Sequence, residues 1–498
     1  MFKPNDAYTY IPEPYVEKNV YLKREIEDKE LPKYDEIKDR LPKPVWDGHE
    51  SAIECYNKAW KIAFGNLRKP TPGSGLISNF IDTAFNGFTF MWDSSFMMMF
   101  GKYAGDVFKF QNTLDNFYAK QHKDGFICRE ICEAENGDQF YRHDPSSTGP
   151  NILPWSEWEY YLTTGDQNRI TDVFDPLMGY YNWIRENRTW PNGLYWTTGW
   201  GCGMDNQPRQ KSNYCAEFSH GHMVWVDATI QQIMSAKILI KMAKILGRED
   251  ETSALKQEIA FLTKEVNSKL WDDKSKYYYD QWQNGELNYV KTIGSYWALL
   301  ADIVPDNRLD DFVAHLENEK EFKRKHRIPT LSADNPHYRE DGGYWCGGVW
   351  APTNYMVLKG LDKTGYNKLA FDIALNHLQN VVDVFEDTET VWENYAPELR
   401  SRGNPSTKDF VGWTGLVPIT VLFEYVFGLR PYAAENKIVW YVNLTERHGI
   451  KNYPFGEHRY DIMCSERKAG EKPVINVKGN APITIELHWD NNCEILQF

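Results

Sequence analysis

The sequence predicts a mainly α-helical chain, an α/α toroid of paired helices followed by a small β-sandwich. Three observations lead there. Apolar residues recur three and four apart in segment after segment between residues 51 and 426, the spacing of one helix face. Helix breakers divide these segments into hairpins: Gly-Asp at 105, "TGDQ" at 164, "GREDE" at 247, "VPDN" at 304 and "GLDKTG" at 360. Beyond about 430, β-branched and aromatic residues alternate or cluster between turn signals.

Taken in order, residues 1–48 are rich in proline and charge ("IPEPYVEKNV", "LPKYDEIKDRLPKPVWDGHE") and read as an extended N-terminal arm. Residues 49–430 form the expected helical domain. Helices are predicted near 51–65, 93–119, 154–187 (broken around 164–167), 224–246, 250–270, 293–317 (broken at Pro305), 351–382 and 411–426. A solenoid of helical repeats would show a period of about 34–47 residues, and none is found. Residues 431–498, with "KIVWYVNL", "EHRYDIMCSE", "KPVINVKG" and "APITIELHWD", form the expected β domain.

Composition narrows the function. With 498 residues, 42% hydrophobic and 25% charged, the chain is an ordinary globular protein. A net charge of −14 and a pI near 5.4 argue against nucleic acid as a partner and favour a neutral polar one. No eighteen apolar residues run together, so no membrane span is expected. The N-terminus has no apolar signal core, which makes a cytoplasmic location the default, with a periplasmic or secreted one if a signal peptide has been trimmed. The eight cysteines are scattered without metal-ligand spacing, as reduced thiols are. No cofactor and no metal are expected, and no oligomeric state is implied. The 19 tryptophans and 30 tyrosines recur beside Gly, Asp, Glu and Asn, as suits a sugar ring with an apolar face and a hydroxyl rim.

In a toroid the long loops gather at one end. Six carry the aromatic motifs: "FMWDSSFMMMF" (90–100), "GFICREI" (125–131), "GPNILPWSEWEYY" (149–161), "GWGCGMDNQPR" (199–209), "GGYWCGGVWAPTNY" (342–355) and "VWENYAPE" (391–398). Hydrolysis of a glycosidic bond needs one carboxylic acid to protonate the leaving oxygen and one carboxylate to activate water or attack carbon. Asp205 and Glu393, from loops far apart in sequence, suit opposite walls of a cleft. Trp200 and glycine backbone would raise the Asp205 pKa, while Asn394 and Tyr395 would keep Glu393 ionised. Asp93, Glu130, Glu157 and Asp341 compete for these roles, and spacing alone does not choose among them. Asp205 also reads as a turn residue, and Glu393 as a helix-start acid.

The motifs resemble those of the inverting α-glycosidases with an (α/α)6 barrel, glycoside hydrolase family 63 and its mannosylglycerate hydrolase-like branch, and more distantly trehalase. The resemblance covers roughly residues 50–430. It assigns the general acid to Asp205, in "GCGMDNQPR", and the general base to Glu393, in "WENYAPE". It implies that Trp92 and Asp93 bind sugar hydroxyls and that Tyr344, Trp345, Trp350 and Asn354 line the pocket. Trp155, Trp200, Asn206, Trp392 and Tyr395 complete the expected substrate contacts. Arg129 and Arg209 are expected to orient carboxylates or clamp a charged aglycone such as glycerate, or to form structural ion pairs. Where the family continues with Thr-Gly after the general-base motif, this chain has "PELRSRG", a change to the cover of the leaving-group side. The resemblance implies inversion on an α-linked glucoside or mannoside, with the carboxyls roughly 6.5–9.5 Å apart.

Two alternatives stand beside this reading. His143, His220 and His222 ("RHDP", "SHGHM") suit a sugar epimerase or lyase on the same barrel, and the aromatic loops alone suit a non-catalytic carbohydrate-binding protein.

Overall fold

The computed structural model describes residues 11–27, 29–83 and 86–498. Helices fill the middle of the chain: α1 (Glu50–Gly65), α2 (Met91–Gly101), α3 (Leu153–Thr164), α4 (Gln167–Asn187), α5 (Val226–Leu246), α6 (Ser253–Glu265), α7 (Trp297–Leu300), α8 (Ala351–Lys363), α9 (Asn367–Thr388) and α10 (Val417–Val426, wound with π geometry). Their packing runs in a circuit. α2 rests on α3, α3 on α5, α5 on α7, α7 on α8, α8 on α10, and α10 returns to α2. Outside it, α4 covers α3 and α5, α6 covers α5, and α9 and α1 cover α10.

Sequence explains which helices lie inside. Every residue of α2 ("MWDSSFMMMFG") and of α10 ("VPITVLFEYV") is buried, as an all-round apolar helix requires. In α6 only Leu255 and Leu262 are buried, so one narrow stripe faces inward. Gly165 and Gly247 end α3 and α5 in the left-handed conformation (φ +69° and +67°), at two of the predicted breaks. The segment expected as one helix over 93–119 stops at Gly101 instead. The chain then folds back until Phe110 lies so close to Gly101 that a Cβ there would stand 2.3 Å from it.

The arm and the C-terminal segment meet. β1 (Lys43–Trp46) pairs antiparallel with β6 (His448–Phe455) in a four-stranded sheet ordered β1, β6, β7 (His458–Cys464), β8 (Ile475–Gly479). The second sheet is ordered β4 (Leu429–Tyr432), β5 (Lys437–Tyr441), β9 (Thr484–Trp489), β10 (Asn492–Gln497), with β5 and β9 parallel. A short antiparallel pair, β2 (Phe88–Phe90) and β3 (Glu130–Cys132), leads into α2. One hydrophobic core runs from Tyr21 of the arm through the helices to Leu487 of β9. Among the described residues no helix is long and apolar enough to cross a membrane.

Candidate active site

Four loops build one cavity of about 400 Å³. The register of β2 with β3 sets Phe90 opposite Glu130, and the Met91 N–H donates to the Arg129 carbonyl at 2.8 Å. Trp92 and Asp93, in the first turn of α2, are thereby fixed beside Arg129 and Glu130. The second loop starts as a single helical turn, Gly199–Cys202, whose Gly201 N–H donates to Thr198 Oγ1 at 3.0 Å. Gly203 ends it at φ +74°, where a side chain would be strained and its Cβ would lie 3.0 Å from the Trp92 ring. That close approach carries Asp205 to the cavity wall.

Asn206 ties this loop to the third. Its amide donates to the Gly343 carbonyl at 3.0 Å, and its Oδ1 accepts from the Trp345 N–H at 2.9 Å. Between them Tyr344 is held at φ +63°, a conformation that a bulky residue keeps only where its surroundings enforce it. From there its hydroxyl donates to Glu393 Oε1 at 3.0 Å. The fourth loop folds back on itself, so that the Thr407 N–H and O–H both donate to Glu393 Oε2 at 2.9 Å. Trp413 Nε1 donates to the Glu393 carbonyl at 2.7 Å.

The two wall carboxyls therefore sit in different surroundings. Burial pushes the Asp205 carboxyl up to about 7; Arg129 opposes the shift, and Glu217, Glu393 and Glu130 add to it. No side-chain hydrogen bond to Asp205 is found among the described residues. Burial also raises Glu393, but Thr407 and Tyr344 pull it back by hydrogen bonding its charged form. Asp93 is pushed well above the usual carboxylate range by burial, with Glu393, Glu130 and Asp205 reinforcing it. Glu130 is raised by burial against the opposing pull of Arg129, whose Nη2 lies 2.6 Å away. Such an arrangement can offer a proton at one wall and hold a negative charge at the other.

Of the residues expected from sequence, Trp92, Asp93, Arg129, Trp200, Asp205, Tyr344, Trp345 and Glu393 line this cavity. Seven others do not. Trp155 enters α3 behind Pro154 and turns inward, stacking on Tyr355 and donating to Glu159 at 3.0 Å. Arg209 is buried in a fork with Asp227 at 2.6 Å and Asp280 at 2.7 Å. Trp350 stacks face to face behind Trp345, ring centroids 3.7 Å apart, and Asn354 is consumed by the backbone of Ile328 and Trp350. Tyr395 turns its hydroxyl to the Trp392 N–H, Trp392 donates to Thr388, and Asn206 joins two loops from behind. Within single motifs the roles divide: Asp205 and Glu393 face the cavity while their neighbours Asn206 and Trp392 brace the loops.

Of the competing acids, Glu157 is paired with Arg169 and Asp341 with Arg339, both away from the cavity. His143, His220 and His222 do not line it. The lining also includes Gln139, Thr407, Phe410 and Trp413, which sequence reasoning missed. The stretch "FVGWTG" has the Trp-Gly company of the other loops and was the available signal; Thr407, in "NPSTKD", carried none.

Residues 87–413 match the mannosylglycerate hydrolase MGH1-like glycoside hydrolase domain. An uncharacterized protein of Borreliella burgdorferi is 25% identical over 388 residues, covering 76% of this chain and 79% of that one. A probable mannosyl-oligosaccharide glucosidase of Schizosaccharomyces pombe is 24% identical over 283 residues, 50% of this chain and 34% of the yeast protein. Among solved structures, a family 63 mannosylglycerate hydrolase of Thermus thermophilus in complex with glucose superposes with a TM-score of 0.59 at 18% identity. It covers 74% of this chain and 99% of its own.

Proposed function

The chain belongs to the mannosylglycerate hydrolase MGH1-like glycoside hydrolase family and is a glycosyl hydrolase, and from that premise we propose that it cleaves an α-linked glucoside or mannoside with inversion. Asp205 is the general acid that protonates the glycosidic oxygen. Glu393 is the general base that deprotonates a water attacking from the opposite face of the sugar. In this reading the helical circuit is an (α/α)6 barrel with the cavity at the loop end.

The observation that carries the assignment is the contrast between the two carboxyls. Asp205, raised to about 7 with no hydrogen bond to its carboxylate among the described residues, holds a proton to give in a large share of molecules at neutral pH. Glu393, with three donors on its oxygens, is steered to stay ionised and is aimed by them. Asp93, pushed well above the usual carboxylate range by burial, hydrogen-bonds a sugar hydroxyl, and the Trp92 face takes the C–H side of the ring. An epimerase would need a ring-carbon base, and no histidine is among the described cavity-lining residues.

A proton NMR time course over a panel of α-linked glucosides and mannosides tests the mechanism. The β-anomer of the released sugar is expected first, before mutarotation. The α-anomer first would show retention and remove Glu393 from the role of base.

A further inference from the structure

We propose that the leaving group accepted by this site is an uncharged polyol or sugar, and that an aglycone bearing a carboxylate is repelled. The inference rests on the hydrolytic reading above, with Asp205 as the acid. A general acid touches the leaving oxygen, so the aglycone lies beside it.

The charges around that position are mostly negative. Glu217, Glu393 and Glu130 act on Asp205 as negative neighbours, opposed by Arg129, whose single effect is larger than that of any one of them. Arg129 is also the only cationic side chain among the described cavity-lining residues. It is already engaged. Its Nη2 is 2.6 Å from Glu130, its Nε donates to the Ser146 carbonyl at 2.7 Å, and its plane lies over the rings of Phe140 and Trp200 at 4.8 and 5.3 Å. Arg209, the other guanidinium expected to clamp a charged aglycone, is shut away with Asp227 and Asp280. A carboxylate entering here would lose its water, find no free counter-charge and face Glu130 across a low-dielectric gap. Hydroxyl groups meet the opposite situation. Glu130 accepts hydrogen bonds from them, and the Gln139 amide both donates and accepts. The family takes its name from a glycoside of glyceric acid, so the charge pattern separates this chain from that substrate.

The test uses the full wild-type chain and matched pairs: α-mannosyl and α-glucosyl glycerate against the same sugars on glycerol, where a CH₂OH replaces the carboxylate. kcat/KM is expected to be at least about 30-fold higher on the glycerol partner, with the gap narrowing at high salt. Glu130→Gln, which removes one carboxylate and leaves Arg129 unpaired, is expected to shrink the ratio about tenfold. Equal or better turnover of the glycerate compounds, or a ratio unmoved by Glu130→Gln, would overturn the proposal. Calorimetry with the non-hydrolysable S-linked pairs separates the two claims. If neither O-linked pair is cleaved but the S-linked glycerol compound binds more tightly, the charge selection stands and the hydrolytic reading falls. Tighter binding of the S-linked glycerate, or binding of neither at millimolar concentration, overturns the selection itself.

Discussion

Inside the helical circuit, Glu424 lies 2.7 Å from Lys102 and 3.7 Å from Lys359, and Glu159 lies 3.6 and 2.8 Å from the same two ammonium groups. Glu157 and Asp115 share Arg169, and Asp227 and Asp280 share Arg209. Around the cavity, Asp93, Glu130, Asp205 and Glu393 have Arg129 as the one cation among the described lining residues, and of the four carboxyls it is ion-paired with Glu130. At Glu424 burial pushes the carboxyl up, but the two lysines more than offset it and hold it below its ordinary range, whereas Asp115 and Asp280 stay raised by burial against the pull of their arginines. At the cavity burial wins, and Asp205 is carried to about 7. The difference teaches where the fold places its cations. They are paired with the carboxyls of the framework, and Asp205 at the cavity is left able to exchange its proton near neutrality.

The largest test of this contrast removes one carboxyl from the cavity. Asp205→Asn and Glu393→Gln are each expected to lower kcat by about 10²–10⁴-fold while KM changes little, as loss of a group acting in the transition state does. Steady-state kinetics on the best substrate of the NMR panel check it. Retained turnover in either variant would erase the functional half of the comparison.

Next in size is the paired region. Arg209→Met leaves two buried aspartates without their cation and is expected to cost about 3–5 kcal/mol of stability. Urea unfolding measures it, and a loss below about 1 kcal/mol would mean that these pairs do not hold the wall up.

The smallest effect sharpens the other side. A carboxyl whose native pKa is raised binds its proton more tightly in the folded state, so stability falls as pH rises from the unfolded value near 4 to about 7. Asp205→Asn removes that penalty. The variant is expected to match wild type at pH 4 and to exceed it by about 1–2 kcal/mol at pH 8, with water in the cavity screening the rest. The same titration predicts an alkaline limb in wild-type kcat/KM near pH 7, as the general acid loses its proton. Melting curves across pH and a pH–rate profile check the two halves, and a Tm difference independent of pH would contradict the raised pKa.

Much of this was legible in the sequence because it was local. The apolar spacing of α2 and α10, the breaks at Gly165 and Gly247 and the change to strands near 430 are properties of a few adjacent residues. The turn-back after Gly101 was not, because it depends on Phe110 finding that glycine across a fold of the chain. The same holds within the motifs. "GWGCGMDNQPR" announced an acid among glycines, but the glycines are there for the loop's own packing: Gly199 against Ala216 and the Asp205 carbonyl, Gly203 against Trp92.

What the sequence determined by itself was the order of helices and strands, the loops rich in aromatics and acids, and a short set of carboxyls competing for the chemistry. The tertiary structure decided which side of each loop faces the cavity. It put Tyr344 and Thr407 on Glu393, turned Trp155, Trp350 and Tyr395 into supports, and gave Arg209 to the framework while leaving Arg129 at the wall. The physical reason is that burial and ion pairing depend on groups brought together from loops tens to hundreds of residues apart. A residue's type says what it can do, and its neighbours in space set its charge, its partner and its aim.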